Sequence, residues 1–511
     1  MSVGDDAGPR WVKVLDQSRC IGCHACTTAC KSENAVPLGV TRTYVKSVDV
    51  GTFPQARRAF QVTRCNQCQD APCVSACPTS AMYQRPDGIV DFDKSVCIGC
   101  KACMAACPYD AIFINPEDHS AEKCNFCAHR LEVGLEPACV SVCPVEAILI
   151  GDVNDPSSRV SRIVNREPVA VRRPEKGTLP KVFYKGAHQA TLDPLAAMRP
   201  AGGLFMWSEQ AGDVVSGAPA RAAGGTPAGT SSAAALLSYD VAHSAPWGWR
   251  VSLYTWTKGL AAGTYLLLLL LVLGGRLADA SPLWRWVAPV LSGAALAATG
   301  ALLVWDLKHP RRFPLIFLRP QWRSWLVRGA AIITLYGALL AAHFGLSFFG
   351  AAAVQRGLMA PGVPLAALTA VYTAFLFAQA KGRDLWQSPL LPPHLLVQAF
   401  LVAAAALLPL SAWLDASALP VLEWVLAGSA AAHLLLVLGE VTLPHVTAHA
   451  RLATRNLVLG PCAPFFWAGA ALVAVGVAAP AIGLWAFPFA LAGLLAYEHA
   501  YVRAGQSVPL A

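Results

Sequence analysis

Hydrophobic and polar positions change their pattern along this chain at about residue 250. From Val251 onward, Ala, Leu, Val, Gly and Trp form runs close to the ~20 residues that a helix needs to cross a bilayer. One such run could be a buried core helix, but eight in series with few charges between them predict an all-α bundle of eight transmembrane helices. The runs lie at 252–275, 284–305, 326–347, 362–380, 393–414, 419–439, 462–479 and 481–501.

The front of the chain is polar and rich in cysteine. Sixteen of the 17 cysteines lie between Cys20 and Cys143, whereas Cys462 stands alone in the apolar part. The stretch SGAPARAAGGTPAGTSSAAA (216–235) has the composition of a flexible tether. We therefore predict a front domain over 1–195, a linker over 196–244 and a membrane domain over 245–511.

Loop charges predict the orientation of the bundle. Loops on the side of the front domain carry ten basic residues and the opposite loops carry three, so the positive-inside rule places the front domain in the cytoplasm. A docking surface for an acidic partner is the alternative explanation. The ten are Lys308, Arg311, Arg312, Arg319, Arg323, Lys381, Arg383, Arg451, Arg455 and Arg503, and the three are Arg276, Arg285 and Arg356.

Two further observations bear on location and partners. The first residues, MSVGDDAGPRWVKVLDQ, carry acidic groups and lack a long apolar stretch, which is not the pattern of a signal peptide. We therefore expect a multi-pass protein of the inner membrane. Because the net charge of +9 mostly reflects the loop asymmetry, it does not indicate binding of nucleic acid.

The sixteen clustered cysteines form four groups of four. Two groups have the spacing C-x2-C-x2-C-x3-C, one has C-x2-C-x4-C-x3-C and one has C-x2-C-x11-C-x3-C. A C-x2-C-x2-C run turns three thiolates toward one [4Fe–4S] cubane, while the fourth cysteine reaches a neighbouring cluster. In chain order the groups are Cys20, Cys23, Cys26 and Cys30; Cys65, Cys68, Cys73 and Cys77; Cys97, Cys100, Cys103 and Cys107; Cys124, Cys127, Cys139 and Cys143.

Three other uses of these cysteines are less consistent with the spacing. Zinc takes two C-x2-C knuckles and leaves no role for the third close cysteine of the first and third groups. Disulfides need an oxidising compartment, and no sequence signal directs this domain to one. Haem c attachment would use Cys20, Cys23 and His24, but Cys23 belongs to a longer run and the other groups lack the histidine. The pattern therefore predicts four [4Fe–4S] clusters, with His24 a polar neighbour of the first.

Residues 12–150 resemble the four-cluster ferredoxin subunit of complex iron–sulfur molybdoenzymes, which include dimethyl sulfoxide, polysulfide and tetrathionate reductases. CNQCQDAPCVSACP, CIGCKACMAACPYDA and KCNFCAHRLEVGLEPACVSVCP carry the resemblance. It implies an α+β double-ferredoxin-like fold. The ligand sets that it implies are Cys20, Cys23, Cys26 with Cys143; Cys124, Cys127, Cys139 with Cys30; Cys65, Cys68, Cys73 with Cys107; and Cys97, Cys100, Cys103 with Cys77.

Residues 245–511 resemble the NrfD-like eight-helix membrane anchor of the same complexes. PWGWRVSLYTWTKGLAAG, GRDLWQSPLLPP and YVRAGQSVPLA carry this second resemblance. Together the two imply a non-catalytic subunit of an oxidoreductase complex, which relays electrons between a catalytic subunit with a molybdenum or tungsten pterin cofactor and menaquinone or ubiquinone. Fusion of the two subunits in one chain departs from the usual arrangement.

Ionisable and aromatic residues at membrane depth indicate where quinone would bind. Such residues are costly in lipid and are functional candidates by default. An aromatic slot with a hydroxyl donor suits a flat quinone ring, although interfacial aromatics and snorkelling charges are the alternative reading. The predicted site consists of Tyr254, Trp256, Lys258, Asp306 and Tyr372. His343 and His433 could face one haem b, but each is more often a hydrogen-bonded polar residue, so we expect no haem.

Topology alone favours electron flow from a formate-like or sulfite-like substrate to quinone. A proton-translocating subunit of a quinol-oxidising complex is the alternative, for which the buried candidates are Asp306, Glu423, His433 and Glu440. A passive anchor that never contacts quinone is a third possibility.

Overall fold

The computed structural model describes residues 8–198, 235–350 and 352–511. Two compact units make up the chain. The first comprises Met1–Pro246, Ala380–Gly382 and Pro509–Ala511, and the second comprises Trp247–Gln379 and Arg383–Val508.

Most of the predicted linker, residues 199–234, lies outside the described residues. Its last part is folded, because Ala235–Tyr239 pairs antiparallel with the strand Thr43–Val50 of the first unit. The backbone amide of Met198 also donates to the carbonyl oxygen of Ala235, at 2.9 Å. Both ends of the predicted linker are thus held by the first unit.

Strands of the described part of the first unit form four small sheets. The strands are β1 Trp11–Asp16, β2 Thr43–Val50, β3 Arg57–Arg64, β4 Met82–Gln84, β5 Val90–Phe92, β6 Ile112–Ile114, β7 Ala121–Lys123, β8 Ile148–Asp152, β9 Val169–Ala170, β10 Val182–Lys185 and β11 Ala235–Tyr239. The largest sheet has the order β8-β1-β10-β9, in which β1 is antiparallel to β8 and parallel to β10. β11, β2 and β3 form an antiparallel sheet, and β4–β5 and β6–β7 are two-stranded.

In the same described part of the first unit, seven short helices accompany these strands. They are α1 Ala25–Glu33, α2 Pro72–Ala76, α3 Ala102–Ala106, α4 Ala128–Leu131, α5 Ala138–Ser141, α6 Arg159–Arg166 and α7 Gln189–Leu192. α1 packs against α5 and α2 packs against α3, so each pair joins two of the four cysteine groups. The α+β ferredoxin-like fold predicted for the front of the chain is confirmed.

The second unit is helical. Its helices are α8 Trp249–Leu273, α9 Ala288–Trp305, α10 Leu315–Leu318, α11 Trp325–Phe348, α12 Ala352–Gly357, α13 Met359–Ala378, α14 Leu391–Leu414, α15 Leu419–Thr442, α16 Ala448–Val458, α17 Ala463–Val477, α18 Ala479–Ile482 and α19 Ala486–Ala504. A π-helical turn, Leu283–Val287, precedes α9. Seven helical segments in the described ranges are long and apolar enough to cross a membrane. The predicted helical membrane domain is therefore confirmed.

The seventh predicted run differs from the others. Residues 462–479 correspond to α17, whose 15 residues rise only about 22 Å and fall short of a hydrocarbon core of about 30 Å. α16 and α17 together meet the criteria for a span but are bent by 69°. The unit thus has seven candidate spans, or eight if this bent pair is one.

α8 is the most buried candidate span and packs closely on α14. The contact depends on Gly263, where an added Cβ would lie 1.9 Å from the carbonyl oxygen of Ala399. α8 also packs on α13 and α19, so its side chains are close to all three helices.

Candidate functional site

The second and third cysteine groups meet where α2 packs against α3. A pocket of about 360 Å³, open mouth included, is lined by the four cysteines of one implied ligand set together with apolar residues. These four cysteines are Cys77, Cys97, Cys100 and Cys103. In the neighbouring set, burial and the adjacent Cys65 thiol raise the pKa of Cys68 to about 12, and Cys107 contributes in the same direction.

The first and fourth groups meet where α1 packs against α5. Burial raises the pKa of the Cys30 thiol to about 12, with further contributions from its neighbours Cys124 and Cys139. The side-chain amide of Asn34 lies 3.7 Å from the sulfur of Cys30 and 3.7 Å from that of Cys127. In the last set, Cys20 interacts with both Cys23 and Cys143. The four ligand sets that the resemblance implies stay a prediction.

Loop geometry turns the sulfurs of the first and third groups inward. His24 and Lys101, each following the second cysteine of its group, are left-handed with φ of 60° and 63° and immediately precede α1 and α3. Gly22 has a φ of 72°, and a Cβ there would lie 2.2 Å from the Phe60 ring. His24 is therefore part of the turn, and its ring lies 4.6 Å from that of Tyr239.

Backbone amides point at the sulfur atoms. Amide groups donate to Cys65, Cys77, Cys97 and Cys143 from Gln67, Met82, Ala121 and Ala147, over 3.2 to 3.4 Å. Such donors stabilise thiolate and cluster sulfur over neutral thiol. In the described residues, no group of three or more Cys, His, Asp or Glu is arranged to hold a single metal ion. The amide donors suit iron–sulfur ligation, in which hydrogen bonds to sulfur are usual.

Two buried cations lie against Cys139, and the sequence analysis missed both. The Arg64 guanidinium donates to the Cys139 sulfur at 3.2 Å, and the Lys13 ammonium lies 3.6 Å from it. Arg64 and Lys13 are 1% and 0% exposed. Burial alone would raise the pKa of Cys139, but these cations lower that pKa to about 7. The alternation of inward and outward side chains along β1 and β3 was the available signal. It places Lys13 and Arg64 on strand faces where apolar residues are usual.

Lys258 is the most enclosed charged residue of the predicted quinone site. It is 1% exposed on α8, and its ammonium donates to the carbonyl oxygen of Ala370 at 2.6 Å and to Thr373 Oγ1 at 2.8 Å. The same nitrogen lies 5.0 Å from the centre of the Tyr372 ring, a cation–π distance. Lys258 and Tyr372 are thus in contact, as the predicted slot requires.

The other predicted members divide into two groups. Tyr254 is buried and interacts with Tyr372 and Thr373, and Asp306, just after α9, interacts with it electrostatically. Trp256 is directed elsewhere, because its indole nitrogen donates to the carbonyl oxygen of Leu491 in α19 at 3.1 Å. Tyr254, Lys258, Asp306 and Tyr372 therefore share one region, whereas Trp256 packs on another helix.

Glu498 of α19 is a neighbour of Lys258 that the sequence analysis missed. It is 6% exposed, accepts a hydrogen bond from Thr255 Oγ1 at 3.0 Å, and interacts with the Lys258 charge. An acidic residue inside the last apolar run was the available signal.

The membrane histidines belong to separate networks. His343 is bonded to the Tyr265 hydroxyl at 3.0 Å and to Gln355 Nε2 at 2.5 Å. His433 is bonded to His394 at 2.9 Å. His394, at the start of α14, was absent from the predicted set because it lies beside the loop. Glu423 is near Gly483, apart from these histidines, so the four candidates for proton translocation do not form one chain.

Three family models match this chain. The description "4Fe-4S binding domain" matches residues 11–32, and "4Fe-4S dicluster domain" matches residues 57–153. "Polysulphide reductase, NrfD" matches residues 238–489. The first two cover the four cysteine groups, and the third covers most of the helical unit.

The front part is similar to subunits of several reductases. A subunit of tetrathionate reductase from Salmonella typhimurium is 44% identical over 194 residues, which are 36% of this chain and 76% of that protein. A subunit of polysulfide reductase from Wolinella succinogenes is 43% identical over 173 residues, 33% of this chain and 91% of that protein. The iron–sulfur subunit ArrB of arsenate respiratory reductase from a Shewanella species is 36% identical over 219 residues, which are 34% of this chain and 94% of that protein.

Proposed function

This chain belongs to the family of 4Fe-4S proteins that includes these tetrathionate reductase and polysulfide reductase subunits, and on that premise we propose that it carries electrons between a catalytic subunit and membrane quinone. The NrfD domain makes it a multi-pass membrane protein in which both parts of such a relay share one polypeptide. Its role is non-catalytic, and the substrate is transformed on the partner.

Four [4Fe–4S] clusters form the relay in this proposal. Support comes from the four sets of cysteines, of which twelve residues are buried, from the amide donors at sulfur and from the pocket at Cys77, Cys97, Cys100 and Cys103. Each cluster supplies one-electron transfer when bound. The protein holds the thiolates, excludes water from most of them and sets the charge around each one.

The quinone site consists of Lys258, Tyr254, Tyr372 and Asp306, to which we add Glu498. The observation that carries this assignment is the buried Lys258 ammonium beside the Tyr372 ring, with the buried Tyr254 as a neighbour of that same ring. Two donors meet the two carbonyl oxygens of a quinone, and a carboxylate exchanges its protons. Trp256 remains a predicted member of the site. Its indole donates to α19, the helix that carries Glu498.

The partner, by family, carries a molybdenum or tungsten pterin cofactor, and the iron–sulfur unit faces the cytoplasm of a cell with an inner membrane. The basic loop residues support that orientation. Electron flow then runs from a formate-like or sulfite-like substrate to menaquinone or ubiquinone. Protease protection of residues 1–198 in inverted vesicles contradicts this orientation and with it the preferred direction.

Cluster reoxidation tests the quinone site in the full-length chain. Purified chain is reduced with dithionite and mixed with a water-soluble quinone, and the cluster absorbance is followed in time. Lys258→Met removes a donor from the quinone carbonyl, so we expect reoxidation about tenfold slower or more. Lys308→Met, an exposed lysine of a loop, is the matched control and keeps the wild-type rate.

The outcomes separate two parts of the proposal. Wild-type clusters that quinone does not reoxidise overturn the relay to quinone. A Lys258→Met chain that holds its clusters and reacts at the wild-type rate overturns the placement of the site. Iron, sulfide and zinc analysis of the same samples tests the clusters themselves, and stoichiometric zinc without iron contradicts them.

A further inference from the structure

A second buried polar cluster lies where α14, α15 and α19 meet. His394 Nε2 and His433 Nδ1 are 2.9 Å apart, so one imidazole donates to the other. The Tyr497 ring lies 4.7 Å from His433 and 5.6 Å from His394, and its hydroxyl donates to Glu440 Oε2 at 3.2 Å. Four groups that exchange protons are thus in contact within an apolar bundle.

The cluster is enclosed and its hydrogen bonding is incomplete. His433 is 0% exposed, His394 3% and Tyr497 1%, whereas Glu440, near the end of α15, is 9% exposed. His433 Nε2 has no hydrogen-bond partner among the described residues, and neither has the side-chain oxygen of the buried Gln398. Buried polar atoms are nearly always satisfied, by protein or by ordered water, so we expect ordered water at these two atoms.

This cluster adjoins the proposed quinone site on shared helices. Tyr497 and Glu498 are consecutive in α19, and Glu498 interacts with Lys258. Gln398 is one turn after His394 and next to Ala399, whose Cα lies 3.9 Å from the Cβ position of Gly259, the residue that follows Lys258. Tyr497 also interacts electrostatically with Glu498, so the two sites are joined through α19 as well as through α14.

We propose that Glu440, Tyr497, His433 and His394 form a proton relay between the end of the bundle and the quinone site. This inference rests on the proposed function. Reduction of quinone to quinol takes two electrons, supplied by the clusters, and two protons, which the relay delivers; oxidation of quinol returns both by the same routes. Glu440 exchanges protons with water, Tyr497 joins it to the histidine pair, and each imidazole accepts a proton on one nitrogen while releasing one from the other.

The groups facing the pair come from each helix packed against it. α15 brings His433 and Glu440, α14 brings His394 and Gln398, and α19 brings Tyr497 and Tyr501, whose hydroxyl donates to the carbonyl oxygen of Leu385 at 3.1 Å. α17 contributes the Phe466 ring, 6.2 Å from that of Tyr497. Two imidazoles, a phenol and one carboxyl form this path in an apolar setting. Replacing one of them by a side chain that cannot exchange a proton interrupts proton transfer.

The test uses the full-length chain and the cluster reoxidation assay. Glu440→Gln keeps the shape of the side chain and removes its proton exchange, and His433→Leu removes the central imidazole. We expect reoxidation by the water-soluble quinone to slow about tenfold or more, with a larger solvent deuterium isotope effect. His343→Leu is the matched control, since this equally buried histidine belongs to another network and its loss leaves both readouts unchanged.

Two further measurements separate proton transfer from a structural role. Binding of a fluorescent quinone analogue stays within about twofold of wild type, and a small weak acid such as azide restores the rate of the variants. Wild-type rate and isotope effect in both variants overturn the relay, as does a slow rate that comes with lost analogue binding and no rescue. A wild-type chain inert to quinone overturns instead the function on which the relay rests.

Discussion

At the scale of single residues, charge placed near sulfur distinguishes the four cysteine sets. Cys139 has Arg64 and Lys13 in contact with its sulfur, both of them buried. The pocket of Cys77, Cys97, Cys100 and Cys103 is lined by one charge of each sign, Asp93 and Lys101, and otherwise by uncharged residues. Burial, hydrogen bonds and net charge set cluster potentials when the ligands are identical. The set containing Cys139 is therefore expected to have a higher reduction potential than the set in this pocket.

Arg64→Met tests this expectation. Loss of a buried positive charge disfavours the reduced, more negative cluster. Because Arg64 also interacts with Cys26 of another set, at least one midpoint potential should fall by a tenfold step in equilibrium or more, about 59 mV for a one-electron couple. Redox titration followed by electron paramagnetic resonance measures it on the full-length chain. Arg57→Met, an exposed arginine of the same strand, is the control. Arg64→Lys keeps the charge and restores the potential; four unshifted potentials in an Arg64→Met chain with full iron would refute the assignment.

At the scale of elements, helix packing positions the groups around Lys258. Tyr372 of α13 is held against α11 at Gly329, where an added Cβ would lie 2.4 Å from the tyrosine ring. Lys258 of α8 is held by Thr373 of the same α13. The slot therefore depends on close contact among three helices, and glycine at one helix surface permits it.

Gly329→Ala tests that dependence. The new methyl group displaces the Tyr372 ring from its place beside Lys258, so affinity for a quinone analogue should fall severalfold. Fluorescence titration of the purified chain measures the affinity. Gly345→Ala lies on the same helix with no atom within 4 Å of its Cβ position and should bind as wild type. Equal affinity in the two variants would mean that Tyr372 does not contact quinone.

At the scale of the whole molecule, an ion pair made by a partly exposed histidine joins distant parts of the first unit. His243, after β11, is 2.8 Å from Asp110 and 3.3 Å from Asp240. Burial alone would lower the pKa of His243, but the two carboxylates raise it to about 9. With 22% of the side chain exposed, solvent screens part of this interaction. The protonated histidine thus stabilises the folded first unit.

The stability of the first unit should depend on pH accordingly. Because the folded pKa is raised, the contribution of His243 is fully present below about pH 6.5 and is lost as pH rises through about 9. His243→Gln should therefore be less stable than wild type at pH 6 and equally stable above pH 9. Thermal loss of cluster absorbance at several pH values measures the difference. A difference that does not change with pH would show that the ion pair is not its source.

The sequence by itself determined that this chain has a cysteine-rich unit and a membrane unit. Eight apolar runs and four cysteine groups predicted a ferredoxin-like unit and a helical membrane unit, because spacing and hydrophobic length act locally. Which distant side chains meet was decided by tertiary structure alone: Arg64 and Lys13 at Cys139, Glu498 beside Lys258, and His394 against His433. These partners are far apart in sequence, and only the packing of strands and helices places their polar atoms within a few ångströms in a low dielectric.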